Sequence, residues 1–160
     1  VSFHLSLSAD TVTAAYPDEP LLVSPEATIR EVMQLLRTQK GSSVLVCDDA
    51  GIVGIYTERD ALGSMNAAAG GQADEMLDRK VTEVMTAKPV SVNTTTTVGD
   101  AIKTMSDGGY RNLPMIDEKN QPQGVIAVRG IVHYLVDHFP STIYNLPPDP
   151  RNATSEREGA

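Results

Sequence analysis

The sequence predicts a mixed α/β (α+β) fold made of two β-α-β-β-α repeats in series, and three observations carry that expectation. The chain repeats its own polarity pattern: placing Val23 on Val92 also sets Thr28 on Thr97, Ile29 on Val98, Met33 on Ile102, Leu36 on Met105, Val44 on Leu113 and Asp48 on Asp117. One added residue in the second copy then brings Gly54 onto Gly124 and Arg59 onto Arg129. Within each copy the polarity pattern runs through a strand, a helix, a second strand, a turn and a third strand. Finally, the 160 residues are 41% hydrophobic with only 4% aromatics and no Trp, so the core is one of Val, Ile, Leu, Met and Ala, the usual filling between strands and covering helices.

Each repeat opens with an extended piece, Leu21 to Val23 or Val90 to Val92. A helix is expected next, starting at Ser24 or Pro25 before Glu26 in the first repeat and after the Thr94 to Thr97 run in the second. Ile29, Val32, Met33 and Leu36, and likewise Val98, Ala101, Ile102 and Met105, follow at the spacing of one helical face. Lys40-Gly41 and Gly108-Gly109 mark the stops, with glycine after the last turn. Short apolar runs come next, Val44 to Cys47 and Leu113 to Ile116, each ending in a polar turn, Asp48 to Gly51 or Asp117 to Asn120. These turns join hairpins whose outgoing strands are Ile52 to Tyr56 and Gly124 to Val128. A closing helix begins around Glu58-Arg59-Asp60 or Arg129-Gly130-Ile131.

The resulting organisation is an N-terminal arm over residues 1–13, a first repeat over 14–66, a linker over 67–79, a second repeat over 80–139 and a tail over 140–160. The arm alternates weakly through Phe3, Leu5 and Leu7, which fits either a strand or a docking arm. Asn66 to Gly71 is small and flexible, and Asp74 to Leu77 adds a helical turn. Pro147, Pro148 and Pro150 followed by polar residues make the tail extended or disordered.

Charge and motifs narrow the function. A formal net charge of −8 and a pI near 4.7 oppose the phosphate backbone of nucleic acids, whose binding is built on Lys and Arg. A small anion needs only two or three positive groups, so a local site for one survives this argument. No run reaches the roughly 18 apolar residues of a membrane span, and the N-terminus lacks a signal-peptide pattern, so a cytoplasmic protein with no membrane partner is expected. Cys47, the single cysteine, sits in the run Val44-Leu45-Val46-Cys47 and reads as a small buried hydrophobe. His133 and His138 are five residues apart and share no helical face, which argues against a metal site. A phosphate-binding Gly-Lys-Ser/Thr loop and a nucleophile elbow are both absent, so no catalytic residues are assigned and an enzyme is not expected.

The segments Gly54-Ile55-Tyr56-Thr57-Glu58-Arg59-Asp60, Val81-Thr82-Glu83-Val84-Met85-Thr86-Ala87-Lys88-Pro89-Val90 and Leu113-Pro114-Met115-Ile116-Asp117, set in two repeats, resemble tandem CBS domains from about Tyr16 to Phe139. The resemblance implies two repeats packed sheet to sheet as one pseudo-twofold module, homodimerisation into a flat disk, and a regulatory adenosine nucleotide (AMP, ADP or ATP) in place of a cofactor. With no fused effector domain, the readout implied is a separate effector protein. The first repeat departs from the family at Ala14 to Pro20, where a Val-x-x-Val-Met-Thr form is expected. The family's ribose motif, Ser or Thr followed three residues later by Asp, stands as Thr57 and Asp60 but becomes Ala127 and Gly130 in the second repeat.

A carboxylate just inside a helix can accept hydrogen bonds from both ribose hydroxyls, and a nearby hydroxyl can bond to sugar or phosphate; Ala and Gly can do neither. Thr57 and Asp60 also fit a plain helix cap that needs no ligand. Carried over from the family, the intact site joins Ile55, Tyr56, Thr57 and Asp60 to Val90, Arg111, Asn112 and Arg129, the two arginines meeting phosphate. The partner site sets Ala127 and Gly130 against Ser42 and Ser43, with neither carboxylate nor cation from those positions. One competent site per chain is therefore expected. A ligand-independent scaffold and a site for S-adenosylmethionine are the alternatives.

Overall fold

Thr28 begins the first helix, one turn later than the Ser24-Pro25 start expected, because residues 24–27 close a turn in which Ala27 N–H donates to the Ser24 carbonyl. The Thr28 hydroxyl accepts from Glu31 N–H and the Glu31 carboxylate accepts from Thr28 N–H, a reciprocal cap that satisfies two otherwise orphaned donors. In this computed structural model, which describes residues 7–138, that helix is α1 (Ile29–Gln39). Its end differs from expectation too: Lys40, not Gly41, takes the left-handed conformation, at φ 51°. The second repeat follows the expected form, with α4 (Val98–Gly108) capped by Thr97 and ended by Gly109 at φ 67°.

The first sheet holds four strands in the order β1 (Leu22–Val23), β2 (Ser43–Asp48), β3 (Gly51–Thr57) and β4 (Thr86–Ala87). β5 (Val92–Asn93), β6 (Asn112–Ile116) and β7 (Pro122–Ala127) form the second. In each sheet a short strand runs parallel to the first arm of an antiparallel hairpin. Both hairpins slip register at the same repeat position, between Val46 and Cys47 and between Met115 and Ile116. The closing helices are α2 (Glu58–Ala68) and α5 (Val128–His138), and the short α3 (Ala73–Leu77) follows α2 in the linker. Two expectations shift here: α2 continues through Asn66 to Ala68, which the sequence places in the linker, and Val128 starts α5 instead of ending a strand. The salt bridges of Arg30 to Asp74 and Asp78 hold α3 against α1.

Each repeat receives its edge contact from the segment leading into the other. Thr86 and Ala87, leading into the second repeat, pair with Ile55 and Gly54 of the first. Reciprocally, Asp18 N–H donates to the Val125 carbonyl and Val125 N–H to the Asp18 carbonyl. This exchange gives the pair its pseudo-twofold character, and a third apolar cluster of Leu45, Ile52, Ile55 and Val125 seals the sheets together. The other two clusters lie within the repeats, Ile29, Val32, Val44 and Tyr56 in the first and Val98, Leu113, Ile126 and Tyr134 in the second.

Residues 10–16 of the arm and lead-in dock on the second repeat. Val12 is fully buried there, its N–H donating to the Thr96 carbonyl, while Val98 N–H donates to that of Asp10. Residues 1–6 and 139–160, which include the end of the expected second repeat and the whole expected tail, lie outside the described residues. Among the described residues no helix is long and apolar enough to cross a membrane.

Candidate functional site

β3 runs straight into α2, and the junction is where chemistry collects. Asp60 Oδ2 accepts from Thr57 N–H at 2.9 Å and from the Thr57 hydroxyl at 3.2 Å, so the pair caps α2 as elementary helix chemistry predicts. The same carboxylate, half-buried and negative at a helix start, borders a cleft of about 310 Å³ between the repeats. Ligand clefts commonly begin near 300 Å³.

The first repeat supplies Ser42, Ile55, Thr57, Glu58, Arg59 and Asp60 to this cleft. From the second come the β4 to β5 connection, with Thr86, Lys88, Pro89 and Val90, and the α4 to β6 junction, with Tyr110, Arg111 and Asn112. Ser42 Oγ donates to Asn112 Oδ1 at 2.9 Å, tying the repeats together at the cleft floor. Lys88 adopts φ 48°, a left-handed conformation that disfavours side chains and that clusters at functional sites.

Six residues named from the sequence thus share one cleft: Ile55, Thr57, Asp60, Val90, Arg111 and Asn112. Two do not send their side chains there. Tyr56 follows Ile55 on a strand, where successive side chains face opposite ways, and it is fully buried in the first repeat's core. Its phenol donates to Ser64 Oγ at 3.1 Å, and burial raises its pKa.

Arg129 borders the opposite cleft, of about 230 Å³, with Lys40, Ser42, Ser43 and Glu19. There its Nη2 lies 3.0 Å from both oxygens of Asp18. The reason is symmetry: Arg129 occupies in the second repeat the position of Arg59 in the first, so the pseudo-twofold sends the two arginines to opposite clefts. Arg59 and Lys88, passed over in assigning roles from the sequence, take Arg129's expected place. The signal was present in the repeat alignment itself, which sets Arg59 on Arg129.

Of the residues expected at the partner site, Ser42 and Ser43 line the second cleft, whereas Ala127 and Gly130 are buried and do not line it. A Cβ at Gly130 would fall closer to the Ala15 carbonyl oxygen than real Cβ atoms come, and 3.0 Å from that of Tyr16. Tyr16 is held at φ 49° by stacking on His133, ring centroids 3.9 Å apart, and by donating to the Asp137 carboxylate. Carboxylates and cations do line this cleft, but they come from Asp18, Glu19, Lys40 and Arg129 and not from the Ala127, Gly130, Ser42 and Ser43 positions expected there.

Two pseudo-symmetric β-α-β-β-α units with a cleft at each side of their seam define a tandem ligand-cleft module. The chain belongs to the CBS domain family, whose profile matches residues 14–67 and 81–137. It is 31% identical over 117 residues to an uncharacterized 17.7 kDa protein of Acidianus ambivalens, covering 72% of this chain and 67% of that protein. Across the first three curated relatives it matches, the chain spans between 15% and 67% of their lengths.

Among solved structures, CBSX2 of Arabidopsis thaliana in complex with AMP is 22% identical, with a TM-score of 0.68 over 81% of this chain and 98% of that one. The CBS domain pair of protein MJ0100, in complex with 5′-methylthioadenosine and S-adenosyl-L-methionine, is 18% identical with a TM-score of 0.67, covering 77% and 97%. These two likenesses establish the fold.

Proposed function

We propose that this chain is a regulatory, non-catalytic module that binds one adenosine nucleotide in the cleft bordered by Asp60 and Arg111, and that it acts as a homodimer on a separate effector protein. The observation that carries the reading is the convergence, from opposite repeats, of a ribose-competent carboxylate and an arginine around one cavity. Among the described residues Arg111 makes no ion pair, so its guanidinium is available to phosphate. Adenosine-containing ligands in CBSX2 and MJ0100 support the class of ligand. In the second repeat the position matching Asp60 is Gly130, packed against the Ala15 carbonyl, and Arg129 at the second cleft pairs with Asp18, which supports a single site per chain. Available cations favour a phosphate over the sulfonium of S-adenosylmethionine. A ligand touching both repeats regulates by binding one relative arrangement of them more tightly than another.

Calorimetric titration of AMP, ADP, ATP and S-adenosylmethionine into nucleotide-free protein tests this. The expected result is one nucleotide per chain, weakened tenfold or more, about 1.4 kcal/mol, by Arg111→Gln and by Asp60→Ala. Because Asp60→Ala also removes a cap worth about 1 kcal/mol, its unfolding is measured alongside. Two equivalent sites per chain, or no binding by the wild type, overturn the proposal, and the second outcome favours a ligand-independent scaffold.

A further inference from the structure

We infer that the Asp60 cleft selects a nucleotide with two or more phosphates over a monophosphate, with Arg59 and Lys88 as the residues that set this preference. The inference rests on the nucleotide reading above and extends it to phosphate number. Three cations border the cleft, each in a different segment: Arg59 in the first turn of α2, Lys88 in the bend after β4, and Arg111 in the bend just before β6. All three are exposed, and among the described residues none forms an ion pair. In a chain of net charge −8, three uncommitted cations around one cavity run against the general charge balance.

Their charge is what a phosphate chain answers. A monophosphate carries about −1.5 to −2 at pH 7, and each further phosphate adds about one more negative charge. Three cations on three separate segments therefore match a diphosphate more closely than a monophosphate, and two phosphates let them reach oxygens without converging on one group. Glu58 and Asp60 also line the cleft, one residue to each side of Arg59 in the chain, so the preference rests on the cations outnumbering the carboxylates three to two.

The test is a titration of adenosine, AMP, ADP and ATP in metal-free buffer into the wild type, Arg59→Gln and Lys88→Gln, repeated at two salt concentrations. ADP and ATP are expected to bind about tenfold or more tightly than AMP, with the advantage shrinking as salt rises. In each variant the ADP-to-AMP ratio is expected to fall to about threefold or less while adenosine affinity stays unchanged, which separates charge recognition from damage to the fold. Equal affinity for AMP and ADP in the wild type, or variants that leave the ratio intact, overturns the inference and leaves the single nucleotide site standing. Failure of every adenosine compound to bind overturns the underlying reading and this one together.

Discussion

Gly130→Ala asks whether the second ribose position is closed by the chain itself. The substitution adds one methyl group in the first turn of α5, at a buried site, aimed at the backbone carbonyls of Ala15 and Tyr16. Those carbonyls cannot swing aside as a side chain end could, because Val12 is buried and Asp18 is paired to Val125 on either side of them. Overpacking of this kind costs about 1–3 kcal/mol, and a backbone obstacle belongs toward the upper end. Replacing a helical glycine by alanine returns up to about 1 kcal/mol.

The net expectation is a destabilisation of about 1–2 kcal/mol, or a Tm lower by roughly 2–8 °C for a domain of this size. Gly63 in α2 provides the internal control: nothing lies within 4 Å of its would-be Cβ, so Gly63→Ala should stabilise by about 0.5–1 kcal/mol. Urea unfolding of both variants, followed by circular dichroism with equal m-values required, measures the difference. If Gly130→Ala is as stable as Gly63→Ala, the Ala15 carbonyl does not close the second position, and the structural argument for a single site falls.

Two further outcomes follow from the structure. Burial first, and then the 2.5 Å hydrogen bond it donates to Asp10, push the Tyr134 phenol up to about 12, above its ordinary value near 10. The unfolded chain therefore releases this proton first, so stability should fall as pH rises from about 10 to 12, and Tyr134→Phe should flatten that slope in pH-dependent urea unfolding. Val132 and Val136 on α5 and Leu62 and Met65 on α2 are exposed apolar residues on the two closing helices, and a homodimer is expected to bury them. Light scattering should give twice the chain mass of 17.1 kDa, reduced to the monomer by Leu62→Glu with Val132→Glu; a monomeric wild type would refute the dimer.

The two repeats, their helical faces and the Thr57–Asp60 junction were legible because they depend on short-range periods. Apolar spacing of three and four residues builds one helix face wherever it occurs, and a threonine three residues before a carboxylate caps the next helix without help from distant chain. Even so, Thr28 and Lys40 show the limits of boundary reading: the first was outcompeted in the sequence by an earlier Pro, and the second holds a left-handed turn usually left to glycine.

What only the tertiary structure decided is the pairing of segments far apart in the chain. Nothing local to Arg129 says that Asp18 will lie beside it; that follows from the hydrogen bonds between Asp18 and Val125. Nothing local to Tyr56 tells a cleft from a core, since both faces of a buried strand read as apolar. The sequence by itself determined that one repeat keeps a carboxylate where the other has glycine. The fold decided the rest, because the side on which each cation falls is set by the pseudo-twofold packing of the two sheets, and the glycine's lost space is taken by a backbone carbonyl from more than a hundred residues earlier in the chain.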